Sequence, residues 1–185
     1  MKHFIIIGLS LLALTGCSES AVRYAAPPIE SGTKVKISVA RLEVSEVSLP
    51  AYAKSEEIWR ETETGGLVSD ASILWADDPS RSITLELSKH LSAITGARVA
   101  AEPWPFEEPA QSRLTVRVEE LLASQAGVFK MSGTYYVSKN EDGRERSGSF
   151  QIDTPIAADG GASEIAAARA IAVRDLAQLI AKRGI

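Results

Sequence analysis

Residues 113–154 read RLTVRVEELLASQAGVFKMSGTYYVSKNEDGRERSGSFQIDT, and their alternation decides the fold. From Arg113 to Leu121, Leu114, Val116 and Val118 stand between polar or charged neighbours, the period-two pattern of a strand with one wet face. Val128 to Ser138 is a second β-prone run. Asn140-Glu141-Asp142-Gly143 is a turn between strands, so Arg144 to Thr154 returns beside it. The three runs predict an antiparallel meander. Ser163 to Arg183 then predicts a helix that is alanine-rich, with Ile165, Ala168, Ala172, Leu176, Leu179 and Ile180 on one face and Lys182-Arg183 at the dipole-negative end.

Upstream, Val35, Ile37 and Val39 alternate with Lys34, Lys36 and Ser38, which predicts a first strand over Thr33 to Val44. Leu49-Pro50-Ala51-Tyr52 breaks the ladder as a loop. Glu56 to Thr62 is extended again and, through Gly65-Gly66, turns back into Leu67 to Trp75 as a hairpin. Asp77 and Asp78 precede Pro79, a helix entrance with Asp78 as cap and proline at the first helical position. Ile83, Leu87, Leu91 and Ile94 follow at helical spacing until Gly96. A short strand is expected near Ala97 to Ala101, and the three prolines of Glu102 to Pro109 make a stiff loop. The order β-β-β-α-β-β-β-β-α, with one apolar stripe per helix, predicts a single two-layer α+β domain. Its mixed or antiparallel sheet is covered by both amphipathic helices on one face.

The N-terminus is of another kind. Met1 to Ser20 reads MKHFIIIGLSLLALTGCSES, with Lys2 before an apolar run from Phe4 to Leu14. Eleven residues span roughly 16 Å as a helix, too short for a hydrocarbon core of about 30 Å, so a secretory signal is the reading. Leu14-Thr15-Gly16-Cys17 resembles a bacterial lipobox. That resemblance implies cleavage after residue 16 and acyl chains on Cys17, several of which anchor durably where one would not. Ser18, where Asp would resemble an inner-membrane retention signal, favours the outer membrane. A plain secretory signal with an incidental cysteine, or a buried structural thiol, is the rival. The expected organisation is a signal peptide over 1–16, a lipidated tether over 17–32 rich in Ser, Ala and Pro, and a periplasmic domain over 33–185.

Composition narrows the chemistry. The 185 residues carry 24 acidic and 20 basic side chains, and the net charge of −4 with scattered Lys and Arg argues against a nucleic-acid partner. A single cysteine rules out an internal disulfide. After removal of residues 1–16 His90 is the remaining histidine, which excludes His-based triads with a separate cysteine and most zinc sites. His90 falls on the apolar stripe of its helix and reads as a hydrogen-bonded histidine at the core margin. Asp77-Asp78 reads as a cap rather than a cation site, and Glu56-Glu57 and Glu107-Glu108 as solvated pairs. No nucleotide, hydrolase or metal motif occurs in the mature chain, so no catalytic residue, metal or cofactor is expected. The aromatics Tyr52, Trp59, Trp104 and Phe106 are the candidates for partner contact. Ile58 and Trp59 must face opposite sides of their strand, and Trp104 and Phe106 sit in the stiff loop.

LTGC, the strand KVKISVARLEV leading to Leu49-Pro50-Ala51-Tyr52, Ile58-Trp59-Arg60, Ile73-Leu74-Trp75-Ala76, RLTVRVEEL and the terminal helix stand in one order. Through them the pattern resembles the ABC-type transport auxiliary lipoprotein component family, the PqiC-like lipoproteins. Ala53-Lys54-Ser55-Glu56-Glu57 and the EPWPFEEP loop depart from the family's usual pattern. The resemblance implies a non-enzymatic domain at the outer membrane. It would work beside an MCE-domain protein and an inner-membrane permease or ABC transporter in moving lipids or other hydrophobic compounds. A lipid carrier with its own apolar cavity and a lipid-anchored hydrolase are the rivals from other classes. An uncovered sheet edge or face would also let the chain associate with a second copy.

Overall fold

The computed structural model describes residues 20–139, 145–157 and 160–185. Its strands are β1 (Val22–Tyr24), β2 (Arg41–Val44), β3 (Arg60–Glu61), β4 (Leu67–Val68), β5 (Ile73–Trp75), β6 (Arg98–Ala101), β7 (Ser112–Ala123), β8 (Val128–Lys139) and β9 (Arg146–Pro155). Helix α1 (Pro79–Thr95) lies between β5 and β6, and α2 (Ala162–Arg183) closes the described chain. The meander is present: β7, β8 and β9 pair antiparallel in sequence order. β2 pairs in parallel with both β6 and β7, so the sheet is mixed and the domain is α+β. The predicted turn at Asn140 to Gly143 lies outside the described residues.

Both helices cover one sheet face. In α1, Ile83, Leu87, Leu91 and Ile94 are buried, and in α2 so are Ile165, Ala168, Ala172, Leu176 and Ile180, while Leu179 sits at the margin of the core. The inward residues of β7 and β8, among them Leu114, Val116, Val118, Phe129, Met131, Tyr135 and Val137, complete that core. The alternation read from the sequence thus separates the faces. Asp78 caps α1 by accepting from the Arg81 amide at 2.7 Å, with Pro79 at the first helical position, and Gly96 ends the helix in a left-handed conformation. Glu164 accepts from the Gly161 amide at 2.8 Å, half of a capping box, because glycine has no side chain to return the bond.

The first predicted strand is shorter than expected. Only Arg41–Val44 is in the ladder. Val35 and Ile37 instead pack at the margin of the core, and the Val35 amide donates to the Ile94 carbonyl at the end of α1. Their apolar side meets the core without a neighbouring strand. The 56–75 hairpin is also interrupted. Glu61 opposes Leu67 and Arg60 opposes Val68, then Asp70 accepts from the Ser72 amide and hydroxyl, and pairing resumes at Glu57 and Leu74. Val22–Tyr24, inside the stretch expected to be a tether, pairs in parallel with Ile73–Trp75.

β7 has β8 along one edge, and the other edge is closed piecewise. Leu114 and Val116 carbonyls accept from the Ser45 and Ser48 amides, the Val118 amide donates to the Ser48 carbonyl, and the Ala123 amide donates to the Trp59 carbonyl. Between these last two, the Leu121 amide donates to the Tyr52 hydroxyl at 3.0 Å. Leu49-Pro50-Ala51-Tyr52 is therefore a detour: Ala51–Lys54 makes one 3₁₀ turn, and the phenol stands in for the strand carbonyl missing at that point. Across the sheet, the register slips between Val118 and Glu120 opposite Gly133. A Cβ on Gly133 would come 2.1 Å from the Arg117 carbonyl oxygen, so this bulge needs glycine.

Tyr52→Phe would leave the Leu121 amide without its partner, and the expected loss is about 1–2 kcal/mol of unfolding free energy in a denaturant titration. An unchanged midpoint would contradict the assigned role.

Candidate functional site

The four aromatic candidates form two separate pairs. Tyr52 and Trp59 meet edge to face at 5.8 Å, and the Trp59 indole N–H donates to Ser55 Oγ at 3.2 Å. Ile58 is buried and Trp59 half-buried, so the alternation puts the tryptophan on the outer side, against Tyr52. Burial holds the Tyr52 phenol above its ordinary pKa, so it stays un-ionised as the acceptor for Leu121. Trp104 and Phe106 also meet edge to face, at 5.0 Å, with the Trp104 N–H donating to the Glu108 carbonyl at 2.7 Å. The first pair is at the finishing end of β7, beside Leu121 and Ala123. The second is tied to the starting end, roughly 30 Å away along an extended strand.

The proline-rich loop crosses from β6 to β7 over the face that the helices leave uncovered. Register puts Arg41, Glu43, Arg98 and Ala100 on that face, opposite to buried Leu42 and Val44. Arg41 Nε donates to the Pro109 carbonyl at 2.8 Å, Arg41 and Arg98 both pair with Glu108, and the Arg98 guanidinium lies 5.0 Å from the Phe106 ring centre. Glu43 is buried here and paired with Arg113 at 2.8 Å. Trp104 is half-buried within this lobe, whereas Phe106 remains 41% exposed.

Beyond the loop, the same face is open along the meander. Thr115 and Arg117 of β7, Thr134 and Tyr136 of β8 and Ser147, Ser149 and Gln151 of β9 alternate with the core residues. The Arg117 guanidinium lies 5.5 Å from the centre of the exposed Tyr136 ring. This pair was not among the aromatic candidates from the sequence, although Val116-Arg117-Val118 and Tyr135-Tyr136-Val137 carried the signal. An arginine and a tyrosine at outward positions of adjacent strands are residues that protein interfaces favour.

A second cluster missed in the sequence joins the helices. Arg169 of α2 is 2% exposed; it donates to Glu86 at 2.6 Å and to Ser82 Oγ at 3.1 Å, and lies 4.6 Å from the Trp75 ring centre. Its Nε has no partner among the described residues. Burial pushes the Glu86 carboxyl up against the pull of Arg169, and burial pulls Arg169 down against Glu86 and Asp77. A pocket of about 200 Å³ beside it is lined by Tyr24, Trp75, Asp77, Ser82 and Glu86. The signal was a charged residue four positions after Ile165 and seven before Leu176, on an otherwise apolar stripe.

The remaining candidates act in structure. His90 is buried, with Nδ1 2.9 Å from Ser31 Oγ, and burial followed by Lys89 and Arg174 holds its pKa below the ordinary value. Asp77 pairs with Arg81, Glu56 with Arg23, Glu57 accepts from Ser69, and Glu108 is held by the two arginines. Among the described residues no group of histidine, cysteine or carboxylate side chains is arranged to hold a metal, and no helix is long and apolar enough to cross a membrane. Cys17 lies outside the described residues.

Three comparisons bear on this arrangement. A family model described as ABC-type transport auxiliary lipoprotein component matches residues 24–181. A crystal structure of an uncharacterized protein superposes with a TM-score of 0.67 at 21% identity, covering 81% of this chain and 97% of that one. A protein from Xanthomonas campestris superposes with a TM-score of 0.68 at 17% identity, covering 86% and 93% respectively. These two share the fold. No curated protein matches the sequence.

Two outcomes follow from the buried groups. Arg169→Met should cost about 3 kcal/mol in denaturant unfolding, because it strands Glu86, and adding Glu86→Gln should recover part of the loss. Because folding depresses the His90 pKa, the unfolded chain takes up a proton that the folded one resists, so stability should fall as pH drops below about 6.5. His90→Asn should lose that component, and parallel stability profiles for the two proteins would contradict it.

Proposed function

The chain belongs to the ABC-type transport auxiliary lipoprotein component family, and from that premise we propose that it is a non-enzymatic component of an envelope transport system, held at the periplasmic face of the outer membrane by acyl chains on Cys17. Its task is to dock the periplasmic part of the transporter, an MCE-domain protein that works with an inner-membrane permease or ABC transporter on lipids or other hydrophobic compounds. The anchoring rests on the sequence Leu14-Thr15-Gly16-Cys17 after a short apolar run.

The observation that carries the docking role is the uncovered face of β7, β8 and β9. A two-layer domain needs only one sheet face for its core, and here the other bears Arg117 over Tyr136 among threonine, serine and glutamine side chains. Such a face offers hydrogen bonds and one aromatic anchor to a partner without exposing a broad apolar patch. A second copy of the chain could use the same face within an assembled transporter.

Cys17→Ala should leave the domain folded but remove it from the outer-membrane fraction and abolish transport. Full transport by the unlipidated protein would overturn the proposal. Tyr136→Ala combined with Arg117→Ala should keep the protein at the membrane while lowering its co-purification with the transporter at least tenfold.

A further inference from the structure

Strand direction fixes which end of the domain the N-terminal segment enters. β3 runs parallel to β7, with Arg60 beside Ala123. The 56–61 segment runs antiparallel to β5, through Glu57 opposite Leu74 and the Trp75 amide donating to the Glu56 carbonyl at 2.6 Å. β1 is parallel to β5. β1 therefore enters at the end where β7 finishes, and the β3–β4 arm projects from that same end, exposed throughout residues 63–71. The loop bearing Phe106 is tied to the opposite end through Arg41 and Arg98.

Covalent geometry sets the distance. Val22 is fixed to the fold: its amide donates to the Ser72 carbonyl at 2.8 Å, while Arg23 donates to the Trp75 carbonyl at 3.1 Å and pairs with Glu56 at 2.8 Å. Five residue steps separate it from Cys17, at most about 18 Å of fully extended chain. Of the six large apolar side chains exposed among the described residues, three are at this end: Val22 at 53%, Leu67 at 37% and Val68 at 51%. Residues 61–71 contain no Lys or Arg but do contain Glu61, Glu63 and Asp70, which suits a zwitterionic surface and opposes an anionic one.

We propose that β1 sets the orientation of the domain on the membrane, so that the β3–β4 arm faces the bilayer carrying the Cys17 lipid and Leu67 and Val68 contact its headgroup region. The proposal rests on the lipidation reading above. Two aliphatic side chains are too few to recruit a domain from solution. Beside an inserted anchor, however, their contact with the bilayer is effectively intramolecular, and it decides orientation instead of affinity. The end with Phe106 then points away from the bilayer.

The test uses the full lipidated chain in phosphatidylcholine vesicles, with bimane attached at Val68→Cys or, at the other end, at Glu107→Cys. Cys17 is occupied by its lipid, so each variant carries one reactive thiol. Spin-labelled lipid should quench the Val68→Cys label several-fold more than the Glu107→Cys label, and replacing a third of the lipid by phosphatidylglycerol should reduce that contrast. Intact mass and vesicle flotation of the same preparations report lipidation separately. Protein without acyl mass that fails to float overturns the lipidation reading and this proposal together. Protein that floats but quenches equally at both sites overturns the orientation alone. Val22→Pro removes the amide that bonds Ser72 and should abolish the contrast while flotation persists; an undiminished contrast would overturn the role given to β1.

Discussion

The second edge of β7 constrains much of the fold. A twelve-residue strand inside a sheet must find partners for its amides and carbonyls on both sides, and β8 supplies only one side. The other is completed by β2, the 45–48 segment, the Tyr52 hydroxyl and β3 in succession. Proline at position 50 makes an uninterrupted strand impossible there. A side chain therefore does the work of a main chain, and Trp59 packs against the ring that does it. This explains why Leu-Pro-Ala-Tyr and the following Ile-Trp-Arg occur together: they are consecutive parts of one edge.

What the sequence made legible follows from periodicity. The meander, both helices, the Asp78 cap and the Gly96 stop rest on local patterns, and they occur where those patterns place them. The shortened first strand shows where such reasoning stops. Val35, Ile37 and Val39 carry the period of a strand, but the period records only that one side is apolar, and the core satisfies that side without a ladder. β1 was illegible for a related reason, since three residues are too few to show any period and their pairing depends on a hairpin fifty residues later. The open-face pair Arg117 and Tyr136 was readable in part. Alternation assigns each to the outside, but only the register of β7 on β8 brings them together.

The four aromatic candidates fall into two pairs with different surroundings. Tyr52 and Trp59 are fixed by hydrogen bonds and by each other. Trp104 holds its own loop closed, and Phe106 is the exposed member of that pair. Trp75 supports the buried Arg169, which couples α1 to α2 through Glu86 and Ser82. Such a buried charge is a poor source of net stability, but a pair with one geometry fixes how two helices sit against each other.

The piecewise edge of β7 also dictates an order of events. β2 and β3 meet β7 some sixty to seventy residues further along, whereas β7, β8 and β9 follow one another directly. Contacts of such wide sequence separation form late because their loops are costly to close. A chain that emerges from its N-terminus therefore lacks the β7 edge that residues 41–61 line until residues 112–123 have appeared. Its N-terminal third must wait, incompletely paired, for a strand made after it.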